Sequence, residues 1–163
     1  MSVIDMHLHL DESISGGARE AVEFLTKEMD EFGIERGLLL HLNVQRFGVD
    51  EIAQALSKQK KIIGFINIDP CDEDATVTFI DAIRSGSYKG LKLHPRLNGY
   101  LADDSRVIKL FQLAGELGVP TLIDAFPDGH SLMLGDEPSQ YGRLAMSSPS
   151  SPLIVAHFGG HKV

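Results

Sequence analysis

A single cysteine, Cys71, is present in 163 residues, so no intrachain disulfide can form. That usage suits a reducing compartment. Tryptophan is absent and aromatic residues make up only 7% of the chain. No apolar run approaches the ~18 residues that a membrane span needs. The N-terminal stretch, Met1 to Asp5, has neither the basic start nor the apolar core of a signal peptide. Basic residues are also scarce: 15 Lys and Arg against 23 Asp and Glu, a formal charge of −8 and a pI near 5.3. This balance speaks against nucleic acid or an anionic membrane as partner. The expectation is a soluble, cytoplasmic protein.

Several catalytic templates are missing as well. The chain has no G-x-S-x-G elbow, no Walker loop, no paired C-x-x-C and no G-x-G-x-x-G after its first strand-like run. Gly16-Gly17 before the first helix is a weak phosphate cradle. What is present is ordinary globular composition, 43% hydrophobic and 23% charged, in a length that suits one domain over 1–163. No low-complexity segment or composition shift marks a second domain. The stretch Ser147–Pro152 reads as a loop.

Strand-like apolar runs begin near Ser2, Glu35, Lys61, Tyr88, Val119 and Pro152, spaced 26 to 33 residues apart. Helical patterns lie between them. Ala18, Val22, Leu25, Met29 and Phe32 share one face, with Gly33 as the stop. Val107, Leu110, Phe111, Ala114 and Leu117 share another, capped by Asp103 or Asp104 and ended by Gly118 and Pro120. Further helices are predicted over 50–57, 73–84 and 137–146. The strands are mostly apolar on both faces, as in parallel sheets covered by helices. The reading is α/β, built of consecutive βα units. Six units fall short of an eight-unit barrel of about 250 residues. An open doubly wound sheet fits the length unaided, but the motifs favour a (β/α)8 TIM-barrel type, incomplete at about six units.

Those motifs fall at strand ends. In Asp5-Met-His-Leu-His, Asp5, His7 and His9 share one face of the first strand, while Ile4, Met6, Leu8 and Leu10 take the other. Two imidazoles so spaced can converge on one metal ion, although a bare H-x-H also describes two surface or core histidines. His157 ends the sixth strand ahead of two glycines. Alone it reads as a turn histidine; with His7 and His9 at the same C-terminal rim it reads as a ligand. Lys92 and His94 share a face at the end of the fourth strand, before Pro95 and Arg96. A buried lysine needs a partner. Lys92 is a metal-bridging modified lysine, a cation for a substrate carboxylate, or a side chain snorkelling to the rim. His94 and Arg96 are candidates to orient an anionic substrate.

Asp124 ends the fifth strand as a metal ligand, as the carboxylate orienting a histidine, or as a turn cap, the last role fitting Asp128-Gly129 better. His41 and Asn67 end strands two and three, where polar residues often only meet water. His130 and His161 carry no assigned role. Cys71 lies among acids, which raises a thiol's pKa and disfavours a nucleophilic role.

Taken together, the segments Asp5–His9, Gly90–Pro95 and Ile154–Gly160 resemble the amidohydrolase-related family, which includes metal-dependent hydrolases and decarboxylases similar to aminocarboxymuconate semialdehyde decarboxylase. The resemblance covers the whole chain. It implies one divalent metal at a barrel mouth, Zn²⁺ first, with Mn²⁺ or Fe²⁺ as alternatives. The family's ligands are two histidines after strand one, histidines on strands five and six, and an aspartate after strand eight. His7, His9 and His157 match. Asp124 stands in place of the strand-five histidine, and the strand-eight aspartate has no counterpart here.

The implied site therefore has His7, His9, His157 and Asp124 on the metal, His94 and Asp124 as catalytic groups, and Lys92 and Arg96 on a substrate carboxylate. The implied activity is hydrolysis of a small carboxylate-bearing amide, ester or lactone. Non-oxidative decarboxylation is the alternative. A fragment that only binds metal weakly, or self-associates through unpaired strand edges, is a third reading.

Overall fold

A computed structural model describes residues 2–126 and 137–159. The chain divides into two compact units, Met1–Asn67 with Ile80–Lys89, and Ile68–Phe79 with Gly90–Val163.

In the first unit, β1 (Val3–Leu8), β2 (Ile34–Leu40) and β3 (Ile62–Asn67) run parallel and pair in chain order. Parallel neighbours need a crossover, and the helices α1 (Ala18–Glu31) and α2 (Val49–Leu56) supply it. Helix α1 buries Ala18, Val22, Leu25 and Met29 of the predicted stripe, with Ala21 beside them, whereas Phe32, beyond the helix end at Glu31, is 72% exposed. Gly33 ends the helix with φ +68°, where a side chain would be strained. Gly37 is needed for a different reason. A Cβ there would stand 2.3 Å from Leu8 Cδ1 and 3.2 Å from Met29 Cε, so the bare backbone lets α1 close on β1 and β2. The N-terminus of α1 is capped from outside as well as within. Gly17 N donates to Glu20 Oε2, and Ala18 N donates to Glu51 Oε1 of α2 at 2.6 Å.

β2 and β3 are buried over nearly all of their C-terminal halves, as their unbroken apolar runs predict. β1 differs: Val3, Ile4 and Met6 are exposed at 41%, 55% and 45%.

In the second unit, β4 (Tyr88–Leu93, whose first two residues belong to the first unit), β5 (Thr121–Ile123) and β6 (Leu153–Val155) are again parallel and in chain order. Helix α3 (Ala75–Arg84) precedes β4, and a four-residue helix, α4 (Pro95–Asn98), follows it. The longer α5 (Ser105–Glu116) buries the predicted Val107, Leu110, Phe111 and Ala114. α6 (Pro138–Ser147) starts on the proline expected in its first turn. Asp104 caps α5, its carboxylate accepting from Arg106 N at 2.9 Å. Replacing Asp104 with alanine is expected to cost about 1 kcal/mol, measurable as a shift in the urea midpoint with unchanged slope.

Six parallel strands alternating with helices make the element order of an incomplete (β/α)8 barrel. The strand ends carrying histidine, lysine and aspartate are all C-terminal.

Candidate functional site

The first unit brings together the ends of β1, β2 and β3. His7 Nε2 and His9 Nε2 stand 3.1 Å apart, with the rings edge to face. Asp5 accepts from the backbone N–H of His7 and so fixes the strand's exit. The tautomer of His9 follows from its other nitrogen. Nδ1 is 2.8 Å from the carbonyl oxygen of Leu40, which can only accept, so Nδ1 carries the proton. The lone pair of neutral His9 is then on Nε2, facing His7.

Outer-shell bonds of this kind orient metal-binding imidazoles. Two nitrogens that each bind one zinc ion at ~2.0–2.1 Å come about this close to each other. The pair fits such an ion. Among the described residues, no group of three or more His, Cys, Asp or Glu side chains is spaced to hold a metal.

His41, at the end of β2, is 3% exposed. Its Nδ1 accepts from Asn67 N at 3.3 Å, so the two polar strand ends satisfy each other. Burial pushes the imidazole down to about 4, against hydrogen bonds to Asn67 and Phe47 that pull it up. Histidine in the unfolded chain titrates near 6.5. Between those values the unfolded state takes a proton that folded His41 refuses. Stability should therefore fall as pH drops from about 6.5 to 4, by about 3 kcal/mol in all. Urea unfolding at pH 7 and pH 4.5 measures it, and the loss should shrink in His41→Gln.

The loop after β1 is held by Arg46. Its guanidinium donates to the carbonyl oxygens of Glu12 (3.2 Å), Ile14 (2.6 Å) and Gly16 (2.8 Å) while stacking on Phe47. Nothing in the sequence singled out this arginine.

The second unit gathers Lys92, His94, Asp124 and His157 around one carboxylate oxygen. Asp124 Oδ2 lies 2.9 Å from His157 Nε2, 3.6 Å from His94 Nε2 and 3.8 Å from Lys92 Nζ. The other oxygen accepts from Phe126 N at 3.2 Å. His94 Nδ1 accepts from Leu97 N in the first turn of α4, so the proton of neutral His94 is on Nε2, toward Asp124. Tyr100 Oη accepts from His94 N at 2.7 Å.

Burial works to raise the Asp124 carboxyl, but His94 and Lys92 beside it, with the Phe126 N–H and His157, outweigh that and hold it low. Lys92 is fully buried and so does not snorkel to solvent. Burial pushes its ammonium down to about 8 despite the pull of Asp124, with Arg96 adding to the depression. His157 has φ 55°, a left-handed backbone that costs a non-glycine residue of order 1 kcal/mol or more. Its ring meets Phe126 edge-on, and the Arg96 guanidinium lies 5.3 Å from the centroid of that same Phe126 ring.

Lys92, His94 and His157 thus share the Asp124 carboxylate, with Arg96 beside them. Tyr100 and Phe126 are additions the strand-end pattern could not reveal. Burial and Asp69 push the Cys71 thiol up, as its acidic neighbours suggested. Asp128, His130 and His161 lie outside the described residues.

Residues 4–163 match the Amidohydrolase family. The chain belongs to that family. No curated protein matches this chain significantly. Solved structures do, at low identity. An uncharacterized TIM-barrel protein from Bordetella bronchiseptica matches with TM-score 0.79 and 16% identity over 98% of this chain and 68% of its own. A probable 2-pyrone-4,6-dicarboxylic acid hydrolase from Acinetobacter baumannii, with citric acid bound, gives 0.64 and 18%, over 98% of this chain and 59% of its own. A 5-carboxyvanillate decarboxylase from Novosphingobium aromaticivorans, with bound manganese, gives 0.66 and 16%, over 97% and 66%. The chain thus spans 59% to 68% of the length of these proteins. The likeness fixes the fold as (β/α)8 barrel type and sets aside the doubly wound sheet. No described helix is long and apolar enough to cross a membrane.

Proposed function

We propose that the chain is the metal-binding part of a hydrolase acting on a small carboxylate-bearing amide, ester or lactone. One observation carries this reading: His7 and His9 face each other at 3.1 Å, with the lone pair of His9 turned inward by its bond to Leu40. A divalent ion, zinc first, would supply an acidified water and a polarised carbonyl.

The chain's own groups take the other roles. Asp124 and His157, hydrogen-bonded at 2.9 Å, are assigned to holding a proton taken from water. His94, with its Nε2–H toward Asp124, positions the carboxylate that holds the proton and returns it to a leaving group. Lys92 and Arg96 supply positive charge for a substrate carboxylate, and Arg96 does so in a fork geometry that suits it.

The test is a screen of lactones, amides, esters and carboxylated aromatic acids against the purified chain with zinc or manganese. Hydrolysis that is lost with chelator and in His157→Ala supports the proposal. Release of CO₂ from an aromatic acid without any hydrolysis would reassign the chain to the decarboxylases. Hydrolysis unchanged by chelator would overturn the metal reading.

A further inference from the structure

The N-terminal ends of β2 and β3, opposite to His7 and His9 within the first unit, frame a depression of about 430 Å³. Three cations line it from three separate segments: Arg36 at the start of β2, Lys60 before β3, and Lys89 at the start of β4. Its floor is apolar and buried, with Leu56 and Ile62 at 5% and 6% exposure. No carboxylate lines it. That is unexpected in a chain with 23 acidic and 15 basic residues.

The neighbouring Lys61 shows the contrast, since it is paired with Asp30. Among the described residues, none of Arg36, Lys60 and Lys89 belongs to an ion pair. Their placement is also partly fixed. Arg36 Nη1 donates to the carbonyl of Lys60 at 3.0 Å, tying two of the segments together. Lys89 Nζ folds back over the turn before β4, 3.8 Å from where a Cβ on Gly86 would stand.

Like charges held around one hollow repel each other, and an anion seated among them removes that cost. We infer that this depression is a binding site for a phosphate-type oxyanion, separate from the strand-end histidines. A tetrahedral dianion suits the donors: the guanidinium fork can take two oxygens, and the two ammonium groups act as point charges. Free phosphate and the phosphoryl group of a small metabolite present the same chemistry, so both serve as probes.

The test is calorimetric titration of the full chain with inorganic phosphate, and separately with glycerol 2-phosphate, at fixed ionic strength with EDTA present. One site per chain is expected for phosphate. Affinity should weaken by roughly tenfold or more in the Lys60→Gln, Lys89→Gln double variant and be unchanged in His7→Ala. Both lysines are exposed, so the double variant should unfold thermally within about 2 °C of the parent when phosphate is absent. Arg36→Gln, tested alone, should weaken binding in the same direction. Equal binding of the ester would assign the site to a phosphorylated metabolite, and exclusion of the ester would assign it to the free ion. Parent-like affinity in the double variant, or equal competition by chloride, would show general screening only and overturn the inference.

Discussion

Replacing Asp124 with alanine is expected to destabilise the protein by about 3–5 kcal/mol, the cost of breaking a buried ion pair from one side. The reason lies in the exposures: Lys92 and Asp124 are 0% and 4% accessible at the side chain. Without the carboxylate, Lys92, His94 and His157 all lose the oxygen they share, and the lysine stays in a medium that already depresses its ionisation. Urea unfolding at pH 7 measures the loss. A second variant makes the cause visible. Adding Lys92→Met removes the charge that Asp124 compensates, so the double variant should recover part of the loss. Additive losses would show that the two side chains are not energetically coupled. The Asp124 carboxyl is held low, so the stability it contributes is present above about pH 4 and is lost as acid protonates it.

The double replacement His7→Ala, His9→Ala is expected to weaken zinc binding by at least about 10²-fold, the upper end of what even an outer-shell partner of a ligand costs. Equilibrium dialysis with metal analysis reads it directly. The fold should tolerate the change, because neither imidazole is fully buried. Affinity in the parent should also fall below about pH 6.5, where protons compete for the same imidazole lone pairs. Equal metal content in variant and parent would show that the pair is only structural.

Much of this was written in local pattern. The stripes on α1 and α5 follow from apolar spacing alone, because one buried face of a helix must repeat every three to four residues. Lys92, His94, Asp124 and His157 could be grouped from the chain because each ends an apolar run, and parallel strands bring such ends to one side. Other features had no signature. Arg46 binds backbone carbonyls, which every residue carries, so its partners cannot be told from any other loop. The turn α4 is four residues long, too short for periodicity, and depends on the His94 side chain accepting from Leu97 N. The separation between His41 and the other histidines was also hidden. Only burial, with Asn67 across from it, shows that His41 is locked neutral while His9 lends its lone pair to His7.

The hold of Arg46 on the loop after β1 bears on how the protein meets proteases. Residues 11–13 and 15–16 are exposed, and the segment has no regular structure, which would ordinarily mark it for nicking. A protease must draw its substrate out as an extended strand. Here that means breaking three hydrogen bonds to one charged group together, with the Gln45 bond to Leu10 beside them. Trypsin meets the same obstacle at Arg46 itself, whose side chain it would have to pull from the loop before it could read it. The peptide stretch leading away from His7 and His9 is thus shielded by its own bonding, although most of it lies in contact with water.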